Sequence, residues 1–217
     1  MLNDTINAAE AAKHIYGSTI GLGDGSYFDY LDPASTGMTM EDYAYALAYT
    51  CRFRGQTWSN GRRVFYGVGQ HCVIGTERML VDGHSVRDAL AFLMHESDEV
   101  PWGDFASPAK PLMPAEFRAL IKSNGKAIDL HFGIVTPDPD LIKRYDIRLF
   151  ATEKRDLMPQ FSRQTWTKDQ ISTAAAEGYE PFDSVITPAA HPDEAAERFL
   201  MLYSVLTDRL AREGAAA

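Results

Sequence analysis

Apolar residues recur at three- and four-residue spacing along most of this chain, the period of an amphipathic helix and not of a strand. Ile6, Ala9, Ala12 and Ile15 predict a short helix over 3–16 that Gly17 ends. Residues 17–37, rich in Gly, Asp and Ser, read as loop, with the alternation Tyr27-Phe28-Asp29-Tyr30-Leu31 as one short strand. Gly21, Gly23 and Gly25 do not follow the G-x-G-x-x-G order and no βαβ unit surrounds them, so they predict a turn and not a nucleotide fingerprint. Thr39 is a good helix N-cap, with Asp42 at the third helical position and Tyr43, Ala46, Leu47 and Thr50 following at helical spacing. Residues 55–63, with Trp58, Asn60 and Gly61, read as loop. A helix is predicted over 66–81 in spite of Gly67, Gly69 and Gly75. Each glycine costs about 1 kcal/mol there relative to Ala, which implies close packing against another backbone.

The strongest helical pattern covers 85–99, with Val86, Ala89, Leu90, Leu93 and Met94 on one side. Pro101, Gly103, Pro108, Pro111 and Pro114 then interrupt every pattern until Ala115. Helices follow over 115–132 and 138–158, parted by Gly133 and Thr136-Pro137 and stopped by Pro159. Two more cover 167–177 and 194–212, the last amphipathic through Ala195, Phe199, Leu202, Leu206 and Leu210. That apolar face is expected either to cover the core or to build a homodimer. There is no internal repeat, and low complexity is confined to the Ala-rich tail. The fold class read from this pattern is all-α, a single domain of about seven helices.

A chain of 217 residues suits one domain. Its 21 basic against 30 acidic residues, a net charge of −9, leave no basic stripe for a nucleic-acid polymer. The apolar run 89–94, about the longest, is far short of the roughly 18 residues of a membrane span. The opening Met1-Leu2-Asn3-Asp4-Thr5 lacks a basic-then-apolar leader, and Cys51 and Cys72 make no disulfide framework. A cytoplasmic protein without a membrane partner is expected.

Three polar residues break the apolar stripes. The run 89–94 passes directly into His95-Glu96-Ser97-Asp98-Glu99. On a continuous helix His95 and Glu99 would share a face, with Glu96 roughly 100° around the axis. A solvated helix end is the plain reading, although acidic residues at a helix C-terminus oppose the macrodipole. His71 lies in an apolar helix and Asp146 on an apolar-striped one. Taken singly, His71 reads as a hydrogen-bonded core residue and Asp146 as a surface partner of Lys143 or Arg144. Spacing alone does not bring 71, 95 and 146 together.

The order of these motifs resembles that of the HD-domain metal-dependent phosphohydrolases, and most closely the YfbR-like 5′-deoxynucleotidase branch of bacterial and phage proteins. In that branch the segments look like R-F-x-G-x-T, then F-Y-S-V-A-x-H, then L-x-H-D-x-x-E-x-x-x-x-D-x-P-x-P-x-K. Here they stand as Arg52-Phe53-Arg54-Gly55-Gln56-Thr57, as Phe65-Tyr66-Gly67-Val68-Gly69-Gln70-His71, and as Leu93-Met94-His95-Glu96-Ser97-Asp98-Glu99 continuing to Asp104 and Lys110. The last segment is Tyr145-Asp146-Ile147, running into the acidic-basic stretch Thr152-Glu153-Lys154-Arg155-Asp156. The similarity covers 27–160, leaving 161–217 as a helical extension.

The resemblance implies one divalent metal ion (Mn, Co, Fe, Zn or Mg) held by His71, His95, Glu96 and Asp146. The family has Asp where Glu96 stands, so the carboxylate lies one methylene further out and the helix or the metal must shift to meet it. If they do not, the metal is held weakly or lost, and the chain is a nucleotide-binding regulator whose catalysis has decayed. Glu99 and Asp104 match the family's acid and base positions, and Arg52 its phosphate-binding arginine. Lys110 would add charge, while Phe53, Gln56 and Trp58 sit where a base or sugar would pack, Trp58 as a lid. The implied activity is release of phosphate from a deoxynucleoside monophosphate, with dNTP triphosphohydrolysis on the same scaffold as the alternative. The family also implies a homodimer.

Overall fold

Thr39 opens the first α-helix among the described residues, as its side chain predicts. Its hydroxyl accepts the Asp42 amide, and the Asp42 carboxylate accepts the Thr39 amide in return. The computed structural model describes residues 17–158 and 180–215; the helices expected over 3–16 and 167–177 fall outside the described residues. After this helix, α1 (Met40–Tyr49), come α2 (Val68–Val81), α3 (Val86–Leu93), α4 (Glu99–Trp102), α5 (Ala115–His131), α6 (Pro139–Leu157) and α7 (Pro192–Ala215). Strands among the described residues form two small antiparallel hairpins, β1 (Thr19–Gly21) with β2 (Tyr27–Asp29), and β3 (Trp58–Ser59) with β4 (Arg62–Arg63). The architecture is the expected all-α bundle with minor strands. Among the described residues no helix is long and apolar enough to cross a membrane, and both cysteines are free.

β2 falls on the short strand expected over 27–31, while β1, β3 and β4 occupy segments that read as loop. In the first hairpin, Ile20 faces Phe28 across the register, and the Gly25 amide donates to the Leu22 carbonyl to close the turn. The glycines there make a turn, as expected. In the second, Asn60 and Gly61 both have positive φ, the conformation a two-residue hairpin turn demands.

Helices α1, α2, α3 and α7 enclose one core, in which Tyr43, Leu47, Phe92, Leu93, Phe199 and Leu206 are fully buried. Burying such side chains contributes roughly 1.5–3 kcal/mol each, the main force holding the bundle. The stripe of α7 covers this core, although α7 lies beyond the span of the family resemblance. The close approach expected of the α2 glycines is present: a Cβ on Gly69 would lie 2.9 Å from the Ala48 backbone of α1. Gly75 differs, because it faces the ring of Phe92 and not a backbone.

The helix predicted over 85–99 is not continuous. It stops at Leu93, residues 94–98 turn, and α4 begins at Glu99. Side chains take the carbonyls that a continuing helix would use. His95 Nδ1 bonds the Phe92 carbonyl at 2.6 Å, while Ser97 Oγ and the Tyr43 hydroxyl donate to the Met94 carbonyl at 2.9 and 3.0 Å. The His95 and Glu99 amides reach back three residues, to Phe92 and Glu96, in the tighter 3₁₀ manner. His95 and Glu99 therefore do not share one face of a regular helix, as the pattern had implied. Helix α5 closes on this turn because Gly125 has no side chain: a Cβ there would lie 2.8 Å from that of Asp98.

Candidate metal centre

His71 lies in the first turn of α2 and is fully buried. His95 and Glu96 belong to the turn between α3 and α4, and Asp146 to α6. Tertiary packing brings them together, and Tyr145 fixes the rotation of α6 that this requires. Its hydroxyl donates to Asp82 at 2.6 Å and meets His84 Nε2 at 2.8 Å, tying α6 to the α2–α3 connection. One ligand-type atom from each of His71, His95, Glu96 and Asp146 then lies within 4.8 Å of every other. His71 Nε2 is 3.2 Å from Asp146 Oδ1, and His95 Nε2 is 3.4 Å from Glu96 Oε1 and 3.9 Å from Asp146 Oδ1.

The two nitrogens of each imidazole have different surroundings. His71 Nδ1 donates to Glu153 Oε1 at 2.6 Å, and His95 Nδ1 donates to the Phe92 carbonyl, an acceptor only. With Nδ1 carrying the proton, the neutral ring presents a lone pair at Nε2. Both Nε2 atoms are buried and have no hydrogen-bond partner. An orphaned buried polar atom costs roughly 1–3 kcal/mol. Two such atoms facing two carboxylates are what a cation satisfies, since bonds of about 2.0–2.2 Å place opposite donors roughly 4 Å apart. The residues fit the group, and two imidazoles with two carboxylates suit Mn, Fe, Co or Zn better than an all-oxygen Mg site.

Charge within the cluster follows from this crowding. Burial opposes ionisation of Glu96, but His95 and Arg52 outweigh it and hold its carboxyl at about 2. Burial likewise opposes charge on His95, yet the Glu96 and Asp146 carboxylates push its imidazole well above the ordinary value. A bound cation would take the place of that proton. Glu96 stands in a turn where the helix has already ended, and its Oε1 also lies 3.6 Å from Arg52 Nη1.

Arg52 is buried on the other side of Glu96, with Nη2 donating to Glu153 Oε2 at 3.0 Å. Phe53 stacks on Phe150, rings 5.6 Å apart and 9° from parallel, and the Arg52 guanidinium rests 5.8 Å from the Phe53 ring. Phe53 and Arg54 both adopt φ above 50°. For residues other than glycine this costs about 1–3 kcal/mol each, a strain that concentrates at functional sites. Glu99, 4% exposed, has Oε1 3.8 Å from Lys110 Nζ and a buried Oε2 without a hydrogen-bond partner. Burial, with the Glu96 and Asp104 charges, pushes its carboxyl up to about 9. Burial raises Asp104 as well, against the pull of Arg52. Glu99 and Lys110 line a cavity of about 220 Å³ whose apolar wall is Phe105, Met113 and Ile121.

Trp58 lies in a strand that packs against α6, the helix of Asp146. It sits in β3 under the Arg63 guanidinium, 5.4 Å from the ring, and Gln56 pairs with the same arginine at 2.7 Å. The hairpin packs these side chains on one another. Glu153, in the acidic-basic stretch that follows Asp146, is fully buried between His71, Tyr66 and Arg52. Its signal was its spacing: seven residues after Asp146, it shares that face of α6. Burial opposes ionisation of Glu153, but Arg52 and His71 hold its carboxyl below the ordinary range.

No protein-family model matches the chain. Over 122 residues it is 31% identical to an uncharacterized protein of Rhodobacter capsulatus, a match covering 55% of this chain and 61% of that one. The chain thus spans about three-fifths of that relative's length.

Proposed function

We propose that this chain is a divalent-cation-dependent phosphohydrolase of the HD-domain kind that acts on nucleotides, releasing phosphate from deoxynucleoside 5′-monophosphates. The observation that carries the reading is the pair of buried, unpartnered Nε2 atoms of His71 and His95 facing Glu96 and Asp146. A cation bound there would polarise a phosphoryl oxygen and ease ionisation of the attacking water. The chain's own groups do the rest. Arg52, beside Glu96, offers the guanidinium face that suits a phosphate. Asp104, whose charge is felt by Arg52 and Glu96, takes the proton of the attacking water. Glu99, kept protonated at neutral pH, gives its proton to the ester oxygen as the P–O bond breaks. The cavity beside Glu99 and Lys110 offers an apolar wall to the organic part of the ester.

A screen of nucleoside mono-, di- and triphosphates with Mn²⁺, Co²⁺, Zn²⁺ and Mg²⁺ tests this by its products. Inorganic phosphate from deoxynucleoside monophosphates is the expected result. Tripolyphosphate from dNTPs would replace the substrate while keeping the centre, and no hydrolysis with any ion would refute the reading. In the same assay Glu96→Asp is expected to keep or raise activity, since the shorter carboxylate still offers oxygen to the cluster. Its loss would mean that the site is built around the longer side chain.

A further inference from the structure

A carboxylate removed from water is costly by several kcal/mol unless it is paired and hydrogen-bonded. Glu153 is fully buried, and three donors from a part of the chain far from α6 converge on it. Its Oε1 accepts His71 Nδ1 at 2.6 Å and the Tyr66 hydroxyl at 2.9 Å, and its Oε2 accepts Arg52 Nη2 at 3.0 Å. Each bond has a consequence at the cluster. A carboxylate on Nδ1 fixes His71 as the Nδ1–H tautomer, so that its Nε2 lone pair faces Asp146 Oδ1 3.2 Å away. Arg52, held through Nη2, keeps Nη1 3.6 Å from Glu96. One side chain thus holds a ligand on one flank and the phosphate-facing cation on the other.

We propose that Glu153 is a positioning residue of the centre, setting the tautomer of His71 and anchoring Arg52 at Glu96. This rests on the reading of His71, His95, Glu96 and Asp146 as a metal centre. Glutamine at 153 preserves the shape, but it loses the charge facing Arg52 and offers an N–H that would favour the opposite His71 tautomer.

Two measurements on the full, metal-stripped chain test the role. In Mn²⁺ titration calorimetry, Glu153→Gln is expected to bind about 10–100-fold more weakly than the unaltered chain. In imidazole ¹⁵N spectra at mildly alkaline pH, His71 of the unaltered chain is expected to carry its proton on Nδ1. In Glu153→Gln the proton moves towards Nε2, a signature that general loosening of the fold does not produce. Equal Mn²⁺ affinity in the two proteins, or a His71 protonated on Nε2 alone in the unaltered chain, overturns the proposal. The second criterion needs no variant, so it decides even if Glu153→Gln fails to fold. An unaltered chain that does not bind Mn²⁺ refutes the metal-centre reading itself, whereas binding indifferent to Glu153→Gln refutes only the role of Glu153.

Discussion

Replacing His95 by alanine is expected to abolish divalent-cation binding and the hydrolysis that depends on it. Among the described residues, His95 contributes the one donor that lies within 4 Å of both Glu96 and Asp146. Without it, two carboxylates and His71 face one another with a nitrogen ligand missing. Loss of an outer partner costs about 10–100-fold in metal affinity, and loss of a ligand is expected to exceed that. His95 also bonds the Phe92 carbonyl where α3 ends, so circular dichroism of His95→Ala must show the helical content intact. A folded His95→Ala protein with full cation-dependent phosphatase activity would contradict the assignment of the centre.

Glutamine in place of Glu99 is expected to have two separable effects. As the proton donor, Glu99 supplies a step typically worth about 10²–10⁴-fold in rate, and its amide cannot replace it. The second effect is on stability in the metal-free protein. The native carboxyl is pushed up to about 9 from an ordinary value of 4.5, by burial first and then by the Glu96 and Asp104 charges. Between those pH values the unfolded chain has lost a proton that the folded one retains. Stability contributed by Glu99 is therefore fully present below 4.5 and declines as pH rises, until it is gone above about 9. Glutamine does not ionise, so the melting temperature of Glu99→Gln should gain on the unaltered chain as pH rises through this window. Parallel melting temperatures across the window would show that Glu99 is ionised at neutral pH and would remove it as the acid. Lys110 does not alter the sign, because its half-exposed ammonium at 3.8 Å is screened by solvent.

The parts of this molecule that were legible from the chain are those settled by near neighbours. The Thr39–Asp42 capping box involves residues three apart, and the boundaries of α5 and α6 follow from Pro114, Gly133 and the Asp138 cap, whose carboxylate accepts the Leu141 amide. The end of α3 was not legible, because one of the groups that captures the Met94 carbonyl is the hydroxyl of Tyr43, on another helix. The hairpin around Trp58 was not legible for the same reason: residues 55–63 read as loop, whereas β3 and β4 pair and Arg63 covers the Trp58 ring. Glu153 carried a periodic signal, yet nothing local distinguished a buried carboxylate from the charged residues beside it. Arg52, Tyr66 and His71 supply that distinction, and all of them lie on elements far from α6.

Local patterning was enough to establish a helical chain, the approximate extent of most helices and the residue types able to bind a cation, because helical periodicity and capping act over a few residues. Whether those residues meet is a different kind of fact. His71, His95 and Asp146 come together through the packing of α6, held by Tyr145 and Glu153, and the turn that interrupts the helix at Met94. Both depend on contacts between elements distant in the chain, and such contacts leave no periodic trace, since their cause lies in the shape of the packed core.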